Sequence, residues 1–193
     1  MTVETCSFRT DRLLVQPWHD PVDDGWPSVE LATAVAGLLT EPVTRHLPDS
    51  WHGPYSIDRA TQWIAERDNE SPTLLVLNRS MQAPVGLVFL FESNGPGSSG
   101  ADSEADDKTA NLVDIRLGYL LAESAWGRGL ATELLGGLVC WAREQAMIGS
   151  ITGGVAPANG ASRRVLERLG FSLVEVEVEA RGPDNDLQYT LRL

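Results

Sequence analysis

The sequence predicts one α/β (α+β) domain: a single sheet of six or seven strands with about four helices on its faces. Three observations carry this. Apolar residues alternate at period two over Val113–Leu121 and in two later runs, whereas Leu130, Leu134, Leu138 and Trp141 recur at helical spacing. Between Val113 and Gly170 the two patterns come in the order strand, helix, strand, helix, which layers helices onto a sheet. With 193 residues, 42% of them hydrophobic, the chain can bury one core without cross-links, so a single domain over 1–193 is expected.

Phe8–Val15 reads as the first strand, and Pro17, which has no amide hydrogen, prevents simple continuation of a ladder. Val29–Leu39 is helical in composition. Ser56 precedes Ile57, Ala60, Ile64 and Ala65 and can cap an amphipathic helix reaching about Asp68. Between these helices PVTRHLPDSWHGPY (Pro42–Tyr55) is too irregular for regular structure and is a candidate substrate loop. Thr73–Leu77 and Val85–Phe91, separated by NRSMQAP, fit a hairpin. NGPGSSGADSEADDKT (94–109) has four acids, one Lys and almost nothing apolar, so it is expected to be a mobile surface loop rather than a domain linker.

Val113–Leu121 is then a strand with one wetter face. A helix of about five turns follows from Leu130 and ends before Gly149; a strand near Ile151–Val155 comes next. The helix carrying Val165, Leu166 and Leu169 stops at Gly170, a residue suited to the left-handed turn that ends helices. Val174, Val176 and Val178, and then Leu187, Tyr189, Leu191 and Leu193, alternate with polar residues on either side of RGPDND, a hairpin pattern.

Composition narrows the function. The formal charge is −12, which argues against nucleic acid as a partner, since phosphate backbones need a basic face. Asn111–Gly170 breaks the trend with six Arg against five acids, so an anionic ligand can be held there while the acidic remainder favours a cation, or the clustering is chance. Cys6 and Cys140 stand 134 positions apart without a CxxC, supporting neither a disulfide framework nor a structural zinc site. No apolar run approaches a membrane span, and MTVETCSFRTDR has neither a basic nor an apolar leader segment, so a cytoplasmic protein without membrane association is expected.

Two segments carry chemistry. In ESAWGRGLATELL, Gly127 and Gly129 permit unusual φ/ψ and leave no Cβ in the way, Ala131 is small, and the following helix start offers unpaired amides. That combination suits a phosphate, with Arg128 at the rim; the alternative is a plain strand-to-helix turn. The third glycine of a dinucleotide fingerprint is missing, and no Lys-Ser or Lys-Thr pair follows to make a P-loop. In NGASRRVLERLGF, Asn159 and Ser162 stand at the entry of the last helix, as caps or as polar groups facing a ligand.

RTDRLLVQPW (Arg9–Trp18), LGYLL before AWGRGLATELL, and PANGASRRVLERLGF together resemble the GNAT superfamily of acetyl-CoA-dependent N-acetyltransferases. Within it the chain is similar to the subgroup containing ribosomal-protein N-terminal amine acetyltransferases and some aminoglycoside and polyamine acetyltransferases. The resemblance implies a mixed, mostly antiparallel sheet splayed between the fourth and fifth strands, with the pantetheine arm of acetyl-CoA in the gap. It implies main-chain bonds to the arm from Tyr119, Leu120 and Leu121, and a pyrophosphate held by Trp126, Gly127, Arg128, Gly129, Leu130, Ala131 and Thr132. Asn159 and Ser162 would contact acetyl-CoA from the other side.

The sequence departs from the family where acid and base are expected. Arg116 stands where many relatives carry Glu, Gly154 where others place one, and Leu166 where some have a thiolate-protonating Tyr. Asp114 is the nearest carboxylate to serve as base, or else a partner of Arg116. Ser162 can stabilise or protonate the thiolate. Attack by a positioned neutral amine needs no strong protein base, since water or a carboxylate-lined path can accept the proton. Cys140, mid-helix among apolar residues, is a poor nucleophile.

The expected activity is therefore acetyl transfer to a primary amine (a peptide N-terminus, aminoglycoside, polyamine or other small cationic amine), with no metal. His46, Trp51 and Tyr55 would line the acceptor pocket, and the chain would act as a monomer or homodimer. The alternative is a non-catalytic acyl-CoA-binding or sensory domain.

Overall fold

The computed structural model describes residues 3–22, 30–94, 112–174 and 186–193. The period-two segments pair into one eight-stranded sheet built from β1 (Phe8–Arg9), β2 (Leu13–Pro17), β3 (Thr73–Asn78), β4 (Ala83–Asn94), β5 (Val113–Leu121), β6 (Ile148–Val155), β7 (Ser172–Val174) and β8 (Leu187–Arg192). Their spatial order is β1-β2-β3-β4-β5-β6-β8-β7. Among the described strands only β5 and β6 run parallel; every other neighbouring pair is antiparallel. Among the described residues five α-helices accompany the sheet: α1 (Leu31–Leu38), α2 (Glu41–Thr44), α3 (Ile57–Asp68), α4 (Leu130–Arg143) and α5 (Gly160–Arg168).

The expected first strand is two. Thr10 N donates to Leu13 O at 2.9 Å, and Leu13 N donates back to Thr10 Oγ1 at 3.0 Å. The chain thus reverses between β1 and β2, and the described residues form eight strands rather than the six or seven expected. Pro17 closes β2 at its last position, opposite Leu74. The Pro42–Tyr55 connector holds more structure than its composition suggests: Pro42 opens α2 at a position where a missing amide costs nothing, and Asp49–Trp51 forms a 3₁₀ turn. α4 ends at Arg143, after about four turns rather than five. The loop expected at 94–109 lies, beyond Asn94, outside the described residues, as do residues 175–185 of the final hairpin.

Each face of the sheet carries its own core. On one, Leu134, Leu135 and Leu138 of α4 and Leu166 of α5 pack against Val15, Val76, Ile115, Leu117 and Ile151. On the other, Val35 and Leu38 of α1 and Trp63 of α3 pack against Leu75, Leu87, Phe89 and Leu120. β5 feeds both cores because successive side chains alternate across a strand. Each leucine so buried contributes about 1.5–3 kcal/mol by leaving water.

The feature that makes a site is the end of the parallel ladder. β5 and β6 pair from Val113 to Leu117, the last match being Leu117 with Gly153. β5 nonetheless continues to Leu121, bonded on its other side to β4 as far as Gly86. Its last four residues therefore have no β6 partner, and the sheet opens there. Among the described residues no helix is long and apolar enough to cross a membrane.

Candidate active site

Peptide groups in an antiparallel pair alternate between facing the partner and facing away. Ala122 N donates to Val85 O at 2.8 Å, which places Leu120 in the β4 ladder and turns the peptide groups of Tyr119 and Leu121 toward the opening. The Leu121 carbonyl accepts from Trp126 Nε1 at 2.8 Å, pinning the next loop to the strand.

That loop runs through a 3₁₀ turn at Glu123–Ala125 into Gly127 and Gly129, at φ +67° and +74°. Both lie in the left-handed region, which glycine enters without steric cost. Gly129 is the N-cap of α4 and no side chain caps the helix there, so the first-turn amides and the helix dipole are presented to whatever binds. A Cβ on Gly127 would meet nothing within 4 Å; there is room over the loop for a ligand.

α5 closes the other side. Tyr189 of β8 donates to Glu167 Oε1 at 2.9 Å and accepts from Arg163 Nε at 3.2 Å, holding the helix to the sheet. Asn159 Oδ1 accepts from Ser162 N at 3.1 Å, so Asn159 is the cap and Ser162 lies within the first turn. The Ser162 hydroxyl is 3.0 Å from the Tyr119 hydroxyl. Burial pushes the Tyr119 phenol above its ordinary value against the opposing effect of the Ser162 bond, so the ring stays protonated and can donate.

Eleven of the twelve positions expected to hold acetyl-CoA line one cavity of about 540 Å3: Tyr119, Leu120, Leu121, Trp126, Gly127, Gly129, Leu130, Ala131, Thr132, Asn159 and Ser162. Its wall on the acceptor-loop side is Pro42, Val43, Arg45, His46 and Leu47. Thr40 Oγ1, which donates to Glu123 Oε1 at 2.9 Å, ties that segment to the loop after β5. Arg128 is outside the lining.

Trp51 and Tyr55 are not among the cavity residues. Trp51 packs edge-on to Trp63 and Phe89, with centroids 5.0 and 5.3 Å away, and Tyr55 lies under the Arg59 guanidinium at 4.1 Å. Asp114 is also elsewhere: it is the second residue of β5, accepts from Ser150 Oγ at 2.5 Å, and stands five residues, about 16 Å of strand, from Tyr119. Burial raises the Cys6 thiol to about 12, and Cys140 is exposed on α4, away from the cavity lining. Among the described residues no group of three or more His, Cys, Asp or Glu is placed to hold a metal.

Tyr119, expected to contribute main-chain bonds, also brings its side chain into the site. Its side-chain role was visible in the period: Leu117, Tyr119 and Leu121 share the strand face that looks toward α5, where Ser162 sits. Arg45, on the cavity wall, carried no motif signal.

A strand pair that parts, bare amides where the first strand enters its helix, and a second helix across the gap define one open cleft. Residues 12–172 match the family model for the acetyltransferase (GNAT) domain. Solved structures share the fold. An acetyltransferase of the GNAT family from Bacillus anthracis superposes with a TM-score of 0.67 at 13% identity, over 97% of this chain and 98% of the other. A Vibrio cholerae protein, provisionally described as a ribosomal-protein-serine acetyltransferase, gives 0.64 at 16% identity over 98% and 99%. The microcin C7 self-immunity acetyltransferase MccE, solved with acetyl-CoA and AMP, gives 0.65 at 14% identity over 95% and 94%. The chain belongs to the GNAT acetyltransferase family and is an acyltransferase whose co-substrate is acetyl-CoA.

Proposed function

We propose that the chain transfers an acetyl group from acetyl-CoA to a primary amine: a peptide N-terminus, an aminoglycoside, a polyamine or another small cationic amine. The observation that carries this reading is a single cavity walled by the glycine-turned amide loop, the Tyr119–Ser162 hydroxyl pair and the His46 segment. It joins a diphosphate-sized anion site, an acid pair and an acceptor side. Acetyl-CoA, when bound, supplies the activated acyl group.

The chain's own residues supply position and protons. The peptide groups of Tyr119 and Leu121 align the arm in the gap, and the Gly127–Thr132 amides with the α4 dipole hold the diphosphate. The Ser162 hydroxyl, taking the proton of the Tyr119 hydroxyl as it gives up its own, protonates the leaving thiolate, and water returns a proton to Tyr119. Asp114 is too far along β5 to take the amine's proton, so we assign that step to water. His46 and Arg45 line the acceptor side, and the −12 charge draws a cationic acceptor toward the protein.

The test is an acceptor screen. Purified protein, acetyl-CoA and a panel of N-terminal peptides, polyamines and aminoglycosides are incubated, and each acceptor is checked by mass spectrometry for one added acetyl group alongside thiol release. Acetylation of one amine class supports the reading; acetyl-CoA binding with no transfer to any amine refutes it.

A further inference from the structure

The turn between β1 and β2 packs against the start of α4. Arg12 Nη1 donates to the carbonyl oxygen of Arg128 at 2.9 Å. Its Nε donates to Glu133 Oε2 at 2.5 Å, and its backbone N to Glu133 Oε1 at 2.8 Å. Thr10 Oγ1 donates to that same Oε1 at 2.6 Å. The turn is itself braced: Arg79 Nη1 donates to the carbonyls of Thr10 and Asp11 at 2.9 and 3.1 Å. One planar guanidinium thus bridges a main-chain carbonyl of the glycine loop and a carboxylate in the first turn of the helix that the loop begins.

The Arg128 carbonyl and the Gly129 amide belong to one planar trans peptide unit, in which C=O and N–H point in opposite directions. Fixing that carbonyl on Arg12 therefore aims the Gly129 N–H away from Arg12. Gly129 lines the cavity; Arg12 and Arg128 do not. Left without a cation, the Glu133 carboxylate in the first turn of α4 would also oppose an anion at the helix start.

We propose that Arg12, held by Glu133, is a positioning residue for the diphosphate-binding loop, orienting the Gly129 amide and neutralising the carboxylate behind it. This rests on the reading of the cavity as the acetyl-CoA site. Arg12 acts through the loop and leaves the reacting atoms untouched. Because the turn is a separate element 116 residues from Arg128, cofactor affinity is coupled to the integrity of the N-terminal hairpin.

The experiment compares wild type, Arg12→Met, Arg12→Lys, Glu133→Gln and the Met/Gln double variant, using two acyl donors, acetyl-CoA and acetyl-pantetheine, which lacks the diphosphate. Arg12→Met and Glu133→Gln are each expected to raise KM for acetyl-CoA about tenfold, the loss of roughly one well-aligned amide bond, with kcat within about twofold. Their kcat/KM for acetyl-pantetheine should match wild type, and the double variant should be no worse than either single. Arg12→Lys, which keeps the charge but not the planar fork, should recover only part of the loss seen in Arg12→Met. Full rescue by Lys would make Arg12 a simple charge and overturn the proposal. Equal losses on both donors would mean general damage to the fold and overturn it too, as would unchanged acetyl-CoA kinetics in both single variants. Failure of the wild type to bind acetyl-CoA in calorimetry would instead remove the reading of the cavity, and this inference with it.

Discussion

At the scale of single residues, Gly129 and Tyr119 make the sharpest claims. Gly129 sits at φ +74°, where most side chains are strained by about 1–2 kcal/mol but Asn is comparatively tolerated. Gly129→Asn should therefore keep measurable acetyl-CoA affinity, whereas Gly129→Glu, whose Cβ would stand 3.8 Å from Arg12 Nη2, should lower it by more than about tenfold while the protein still folds, because the new carboxylate draws that guanidinium off the Arg128 carbonyl and adds negative charge at the anion site. Calorimetric titration with circular dichroism checks both, and tight binding by the Glu variant would contradict the anion site. For Tyr119, replacement by Phe removes the hydroxyl beside Ser162 and should lower kcat roughly tenfold with little change in KM for acetyl-CoA. Stopped-flow thiol release measures it.

At the scale of elements, the gap depends on β4 and β5 staying tightly paired where β6 departs. Gly86 makes that approach possible: a Cβ there would collide with the Leu120 carbonyl oxygen and come within 2.6 Å of Leu121 Cδ2. Gly86→Ala should destabilise by about 1–3 kcal/mol, read from the urea midpoint, by forcing backbone apart. Gly37 in α1 is the contrast, since nothing lies within 4 Å of its added Cβ. Gly37→Ala should be stabilising by about 0.5–1 kcal/mol through helix propensity. Local chemistry made some elements legible in advance: α3 spans Ile57–Asp68 with Ser56 accepting from Arg59 N, as the cap pattern anticipated. The β1–β2 reversal was not legible, because Thr10–Arg12 offers a lone Asp11 as its turn residue, with no glycine, proline or asparagine beside it. Partners 69 and 123 residues away in sequence, Arg79 and Glu133, bond to that turn.

At the scale of the whole molecule, Glu133 links the N-terminal hairpin to α4 and makes stability depend on pH. Burial pushes its carboxyl upward, but bonds from Thr10, the Arg12 amide and the Arg12 guanidinium outweigh that and hold it below its ordinary 4.5. A carboxyl depressed in the folded state contributes its full stability above the unfolded-chain value and loses it as pH falls through the folded one. The stability gap between wild type and Glu133→Gln should thus be widest near neutrality and shrink as pH drops from about 5 toward 3. Chemical denaturation at stepped pH measures it; a gap constant down to pH 3 would show that the bond network carries no charge linkage.

By itself the sequence determined the period of each element, the caps, the glycines of the amide loop and the order in which strands and helices follow. These are local quantities, set by side-chain spacing and backbone freedom over a few residues. Tertiary structure alone decided that β5 outlasts its pairing with β6, that Ser162 meets Tyr119, that His46 shares their cavity while Trp51 and Tyr55 pack elsewhere, and that Arg12 reaches the loop before α4. Such contacts join residues tens of positions apart, and their geometry is fixed by how two cores pack against opposite faces of one twisted sheet, which no short window of sequence contains.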